Sequence, residues 1–425
     1  MTAERRGRHA VAAPPPPSAA IVDPEMEARP EVLLFVLDAG GGHRAAARAL
    51  QAAAALSPRR WDIRVTNLQD VLAPADFTRR ITGRPMEDAY NAIVRRRWTR
   101  FLVPMLRVLQ WGIRRMSRPL ARLVADHLAE VRPAAVVSLI PNFNGVLAEA
   151  RRLACPDTPF VIVLTDLADF PPHFWIAPGA DRVVVATEHA AAQARAAGLP
   201  PAAISITSGM ILHPRFHVPD PAARQRTRRE LGIGMEDFTV LVLFGGKGSP
   251  EVHPLAAALL DQSPRWHVMA ICGDNPRLEA AVGELGAASG GRLHCFGFTD
   301  RVMDLLAACD VVATKPGPGT LAEAFHCRVP VVVPCTPYTI PQERYNAVFV
   351  RENELGVVVR HWREIPNAIS SLAADPVRRT RMRRRLESLP GNRAVFEVLD
   401  VLEAEVEGAG ALRPPSHATV GARPR

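Results

Sequence analysis

The residues able to do chemistry stand where apolar runs give way to helical segments. "FVLDAGGGHRAAARAL", Phe35 to Leu50, ends an apolar run in Gly40, Gly41 and Gly42, places His43 next, and continues as an alanine-rich helical segment. Glycines at the C-terminal end of a strand let a ligand approach the backbone. The helix that follows offers unpaired N–H groups and the positive end of its dipole to an anion. A histidine in the first turn of such a helix is held toward neutral imidazole, the form that accepts a proton from a hydroxyl. His43 therefore has two readings: a general base or substrate contact, or a helix-start residue bonded to a neighbouring loop.

Two further glycine loops repeat the device. "GGKG", residues 245–248, follows the apolar run "FTVLVLF" and supplies Gly245, Gly246 and Gly248. "TKPGPGTLAEA", Thr314 to Ala324, is stiffened by Pro316 and Pro318, kept slim by Gly317 and Gly319, and opens a helix at Thr320. Such a loop is a pre-ordered anion cradle. Glu323 either contacts a ligand or forms a capping box with Thr320, satisfying the helix's own N-terminus. "GGGHRA" also fits G-x-G-x-x-A through Gly40, Gly42 and Ala45. The next strand, however, ends in Asn67 and Gln69 where a dinucleotide site wants an acid on the ribose. "GGKGS" lacks the leading glycine of a nucleotide-hydrolysing loop, which disfavours ATP hydrolysis.

The elements that must position these loops alternate regularly. "VLLFVLD", a helix over 44–56, "WDIRVTNL", "AAVVSLI", "FVIVLTDL", "RVVVAT", a helix over 188–197 and "ISITSG" form one series. "FTVLVLF", "WHVMAIC", "RLHCFGF", "DVVAT", "VPVVVPC" and "GVVV" form a second. Continuous apolar strands separated by helices mean parallel sheets covered on both faces. The chain therefore reads as α/β, with two doubly wound domains whose strand ends face a shared cleft. The expected division is a leader over 1–29, a first domain over 30–212 and a second over 213–387. A helix over 388–407 could reach back onto the first domain, and 408–425 form a tail. Both termini are rich in Pro, Gly and Ala and are expected to be disordered.

At 425 residues, 48% apolar and 22% charged, the composition is that of a globular protein. No apolar run approaches the roughly 18 to 20 residues that cross a bilayer, and the proline-rich N-terminus lacks the apolar stretch of a secretory signal. These features predict a cytoplasmic protein. The six cysteines form no C-x-x-C pair and read as buried free thiols. Charge is uneven: Phe77 to Arg122 hold twelve arginines against Glu87 and Asp88, a balance of +10 beside +9 for the whole chain. At 100° per residue, Arg96, Arg100, Arg107, Arg114 and Arg118 fall within about 40° of one another. Val94, Trp98, Phe101, Leu102, Met105, Leu109, Ile113 and Met116 gather opposite. The pattern predicts a basic amphipathic helix, kinked or restarted at Pro104, that either rests on an anionic membrane with Trp98 and Phe101 dipping in or packs its apolar face on the sheet. No zinc pattern or RNA-recognition motif accompanies the patch, so nucleic acid is not the expected polyanion.

Taken together, "DAGGGHRAAARAL", "GRPMEDAY" at 83–90, "TDL" at 165–167, "GGKG", "CDVVATKPGPGTLAEA" and "PQERYNA" at 341–347 resemble the monogalactosyldiacylglycerol synthase and processive diacylglycerol glycosyltransferase family. The resemblance spans about residues 31 to 405. It implies a GT-B fold: two Rossmann-like domains, acceptor in the first and nucleotide-sugar in the second, with inverting chemistry in the cleft and no bound metal or other cofactor. The chain's lack of any D-x-D agrees with the last point. Carried over by motif, the donor diphosphate falls to Gly317, Gly319 and Thr320 with the 245–248 loop, and the ribose to Glu323. The uracil falls to the backbone at Phe298 and Thr299, and the sugar hydroxyls to Gln342 and Glu343. Gly41 and Gly42 line the acceptor side. His43 is the implied base and Asp166 its rival, unless Asp166 is an ordinary N-cap. The implied activity moves a hexose from a UDP-sugar to a lipid hydroxyl, most simply diacylglycerol, at the inner face of the cell membrane. The alternatives are a soluble acceptor, a UDP-sugar epimerase, or a non-catalytic nucleotide-sugar or membrane-binding protein.

Overall fold

A computed structural model describes residues 29–38, 41–59, 61–75, 102–218 and 220–412. The "GRPMEDAY" segment, Gly40, Arg96, Trp98, Arg100 and Phe101 lie outside the described residues.

The first sheet is built from β1 (Glu31–Val36), β2 (Asp62–Asn67), β3 (Ala135–Ser138), β4 (Phe160–Val163), β5 (Arg182–Val185) and β6 (Ile204–Ile206), in the order β2-β1-β3-β4-β5-β6. The second holds β7 (Phe238–Leu243), β8 (Trp266–Ile271), β9 (Leu293–Phe296), β10 (Val311–Thr314), β11 (Val331–Pro334) and β12 (Gly356–Val359), in the order β12-β11-β10-β7-β8-β9. Every pairing is parallel, with Leu34 opposite Val137 in one sheet and Val242 opposite Ala270 in the other. The unbroken apolar strands follow from this. Leu33 and Phe35 point into one helical layer while Val32, Leu34 and Val36 point into the other, all 1% exposed or less. Each such side chain contributes about 1.5–3 kcal/mol by leaving water. In the second sheet Leu241 and Leu243 face one layer, and Val240 and Val242 the other.

The final helix, Ala394–Leu412, packs on the first sheet rather than the second. Val395, Val398, Leu399 and Leu402 are buried among Val32, Leu34 and Leu50. Arg59 pairs with Asp400 and Glu403, and Arg182 with Glu405, at its outer edge.

Two local expectations change. The helix bearing His43 runs Gly42–Ala55, with Gly41 at φ 81° as its N-cap. The helix after the third glycine loop begins at Pro318, not Thr320, and Gly317 caps it without a side-chain bond. Proline's fixed φ suits the first helical position and moves the start two residues upstream, which removes the Thr320–Glu323 capping box. The basic segment's described helix is Leu102–Arg115. Pro104 lies near the first described residue of this helix, and the residues before Leu102, where a kink or restart would show, lie outside the described residues.

Candidate active site

Both sheets turn the C-terminal ends of their strands, and hence their loops, toward the same gap. On the side of the first sheet, the left-handed Gly41 turns the chain sharply into the helix and sets His43 in its first turn. Its Nδ1 lies 3.1 Å from the Thr165 hydroxyl, and the Trp175 ring stands edge-on with centroids 5.7 Å apart. Burial lowers the imidazole to about 4, partly offset by the Leu139 carbonyl facing the ring. His43 is therefore neutral throughout the physiological range.

Asp166, next to Thr165, is 7% exposed and caps no helix. Its Oδ2 accepts a 3.0 Å hydrogen bond from the Trp175 indole N–H. Burial pushes its carboxyl up to about 7, the indole bond opposes the rise, and Glu343 across the gap adds to it while Lys315 reduces it. Asp169 locks the same loop by accepting from the backbone N–H groups of His173 and Trp175.

On the side of the second sheet, two of the expected glycines, Gly245 and Gly317, lie against one side chain that the motif reading passed over. Lys315 Nζ donates to Glu343 Oε1 at 2.7 Å. Its Cε lies 3.3 Å from where a methyl would sit on Gly245 and equally far from one on Gly317. The lysine stem thus passes between the two loops. Gly245 (φ 89°) and Gly248 (φ 68°) both require the left-handed region. A methyl on Gly248 would stand 2.0 Å from the Cys272 carbonyl. Gly246 accepts from the Asp274 N–H, and the exposed Phe298 ring stands beside it. Thr299 accepts from the Arg301 N–H and so turns the chain at this lip. Gly319 and Thr320, in the first turn of Pro318–His326, leave that helix end open.

Glu323, released from capping, makes no side-chain hydrogen bond among the described residues. Burial pushes it up to about 7, with Arg215 pulling it down. Gln342 and Glu343 open the helix Pro341–Glu352, and Asn346 of the same helix fixes the cradle by donating to the Pro316 carbonyl at 2.8 Å. The two halves meet directly: His189 stacks on Tyr345 with centroids 4.3 Å apart. The geometry thus brings Asp166, Lys315 and Glu343 together and sets His43 beside them through Thr165 and Trp175. Lys315 had a legible signal, since a lysine directly before a Pro/Gly-stiffened turn is suited to a phosphate. The ion pair that orients it joins residues 28 apart and is invisible in a motif.

The helix Leu102–Arg115 borders this site, Gln110 donating to the Asn142 side chain and the His173 carbonyl. The described part of the expected apolar stripe turns inward, apart from Met116, which is 46% exposed. Met105, Leu109 and Ile113 pack into the core with Leu106, because the sheet beneath needs a cover. Trp111 and Val108 are 64% and 67% exposed, on the same outer surface as Arg107 and Arg114.

Residues 239–388 match the glycosyltransferase family 28 C-terminal domain. The probable monogalactosyldiacylglycerol synthase of Nicotiana tabacum is 28% identical over 366 residues, covering 82% of this chain and 66% of that protein. The processive diacylglycerol beta-glucosyltransferase of Bacillus subtilis is 27% identical over 275 residues, covering 64% and 68%. The chain thus spans about two thirds of the length of these relatives. Among solved structures, MurG of Acinetobacter baumannii superposes with a TM-score of 0.57 at 14% identity, covering 88% of this chain and 99% of that one. The two parallel six-stranded sheets are the paired Rossmann-like domains of the GT-B fold. With that fold and the family 28 C-terminal domain over the second sheet, the chain is similar along most of its length to monogalactosyldiacylglycerol synthases and, over a shorter stretch, to processive diacylglycerol glucosyltransferases.

Proposed function

We propose that the protein is an inverting hexosyltransferase that moves a sugar from a UDP-sugar to the hydroxyl of a diacylglycerol-like lipid, without a bound metal. The observation that carries this reading is the facing pair: a neutral His43 on one wall and the Lys315-braced glycine loops with Glu343 on the other. In this reading the acceptor hydroxyl attacks the anomeric carbon on the face opposite the diphosphate. Its proton passes to His43, and the carbon–oxygen bond to UDP breaks with both electrons leaving on the diphosphate. The Pro318–His326 helix end, the 245–248 loop and Lys315 stabilise that charge as it develops. If Nδ1–H of His43 donates to Thr165, the Nε2 lone pair is the base. Asp166, engaged by Trp175 and facing Glu343, serves sugar hydroxyls rather than the proton transfer. Glu323 holds the ribose, and Gln342 with Glu343 the hexose.

Trp111, Val108, Arg107 and Arg114 support peripheral contact with an anionic bilayer beside the acceptor wall. The expected contacts Trp98 and Phe101 lie outside the described residues, so these four side chains are additional candidates. No described helix is long and apolar enough to cross a membrane.

The test is transfer from labelled UDP-glucose and UDP-galactose into diacylglycerol held in phosphatidylglycerol vesicles. His43→Gln is expected to lower turnover by about 10²–10⁴-fold, the usual share of a general base, with UDP affinity unchanged. Wild-type turnover in that variant would overturn the base assignment. Product formed equally well without lipid would overturn the lipid acceptor.

A further inference from the structure

The second sheet carries a basic groove at the end away from the cleft. The helix Pro376–Glu387, "PVRRTRMRRRLE", holds six arginines, a concentration hidden in the near-neutral balance of the chain outside 77–122. Its place is fixed by three of them. Arg383 reaches Asp310 just before β10, Arg379 lies over Phe238 at the start of β7, and Arg385 pairs with Glu354 just before β12. All three anchors are at the N-terminal ends of strands, whereas the glycine loops are at the C-terminal ends.

The remaining arginines are uncommitted. Arg378 and Arg381, together with Arg351 from the helix Pro341–Glu352, line a groove against the outer edge of β12. None of the three makes a side-chain hydrogen bond or ion pair among the described residues. The nearest carboxylate lining the groove, Glu354, is already held by Arg385. The floor is apolar: Val357, Val358 and the buried Met382.

β12 is the edge strand of its sheet. The Leu355 and Val359 carbonyls accept from Val331 and Cys335 on the β11 side. Strand alternation then turns the N–H and C=O of Val358 outward. An open strand edge with an apolar floor and unpaired guanidinium groups on its rim matches an added strand whose backbone pairs with the edge and whose carboxylates meet the arginines.

We propose that the outer edge of β12 is a docking site for an extended acidic segment of a partner protein. A second copy of this chain is disfavoured as occupant, because pairing β12 with itself would bring the two sets of arginines together. Charged residues along an edge also discourage aggregation. That role needs neither an apolar floor nor guanidinium groups gathered from two helices.

The experiment uses the full chain and a fluorescein-labelled peptide of alternating Glu and Val, eight residues long, against the same peptide with Gln for Glu. Fluorescence anisotropy is expected to show at least tenfold tighter binding of the Glu peptide. The Arg378→Glu, Arg381→Glu double variant is expected to lose at least tenfold. Hydrogen exchange at the Val358 amide is expected to slow on binding. Val358→Pro, which removes an outward N–H that an edge strand can spare, is expected to fold normally and lose most of the affinity. Equal affinity for the Gln peptide, or charge-dependent binding with no protection at Val358, would overturn the proposal. So would binding of phosphatidylglycerol vesicles in place of the peptide. Sugar transfer by the double variant is expected to match wild type, so this result and that of the His43 test are independent.

Discussion

Replacing Asp166 with Asn is expected to stabilise the protein while impairing it, and the gain should depend on pH in a defined direction. The carboxyl rises from its ordinary 3.8 to about 7, first because it is buried and second because Glu343 faces it. Below 3.8 it is protonated in folded and unfolded chains alike and has no effect on stability. As pH climbs from there toward 7, the unfolded chain releases the proton and the folded one retains it, so stability drains away. Above about 7 the full cost, ~4 kcal/mol, is present. Asn has the same shape, carries no charge, and its carbonyl can still accept from the Trp175 indole. Asp166→Asn should therefore exceed wild type by about 1–2 kcal/mol at pH 5 and by up to ~4 kcal/mol at pH 8. Thermal unfolding followed by circular dichroism would show about 8–16 °C at pH 8 for a unit of 150–250 residues, and less than half of that at pH 5. Transfer activity should fall in the same variant, the trade expected where a binding site is built at the cost of stability. A gain that is equal at the two pH values, or absent at pH 8, would refute the claim that burial and Glu343 hold this carboxyl protonated.

Two other perturbations probe the same assembly. Lys315→Met removes the pair with Glu343 and one charge-assisted contact to the diphosphate, so UDP affinity measured by calorimetry should fall about 10- to 100-fold, with Lys315→Arg recovering part; unchanged affinity would remove Lys315 from the donor site. Arg107→Ala with Arg114→Ala should weaken partition onto phosphatidylglycerol vesicles by ~30-fold, about 1 kcal/mol per arginine, and Trp111→Ala should weaken it further; partition that survives all three changes would place the membrane contact elsewhere.

Much of the architecture was readable because local and global requirements coincide. A strand such as "VLLFV" can be apolar at every position only if both faces are covered, and Leu33 and Val32 are indeed buried in opposite layers. Glycine loops at strand ends marked the walls of the cleft, since a backbone at Gly41, Gly245 or Gly248 that needs positive φ leaves its trace in residue type. What escaped depended on distant pairs. The pairing of Lys315 with Glu343 and the approach of Arg215 to Glu323 join segments far apart in sequence within the second half, and Asp166 nears Lys315 and Glu343 only because the two halves face each other. Periodicity set Leu109 and Ile113 on the face opposite the arginines, but whether a bilayer or the sheet covers that face depends on a distant element, and here the sheet does.

The way Ala394–Leu412 returns to the first sheet also determines how the molecule can be taken apart and how it can bend. The polypeptide passes between its halves twice, once through the segment after β6 and once just before this helix. Two tethers confine any opening of the gap to rotation about the line joining them. Cutting the gene after the first crossing would strip the N-terminal half of Val395, Val398, Leu399 and Leu402, exposing the face they seal. An intact isolated half would need those nineteen residues grafted back or supplied as a peptide.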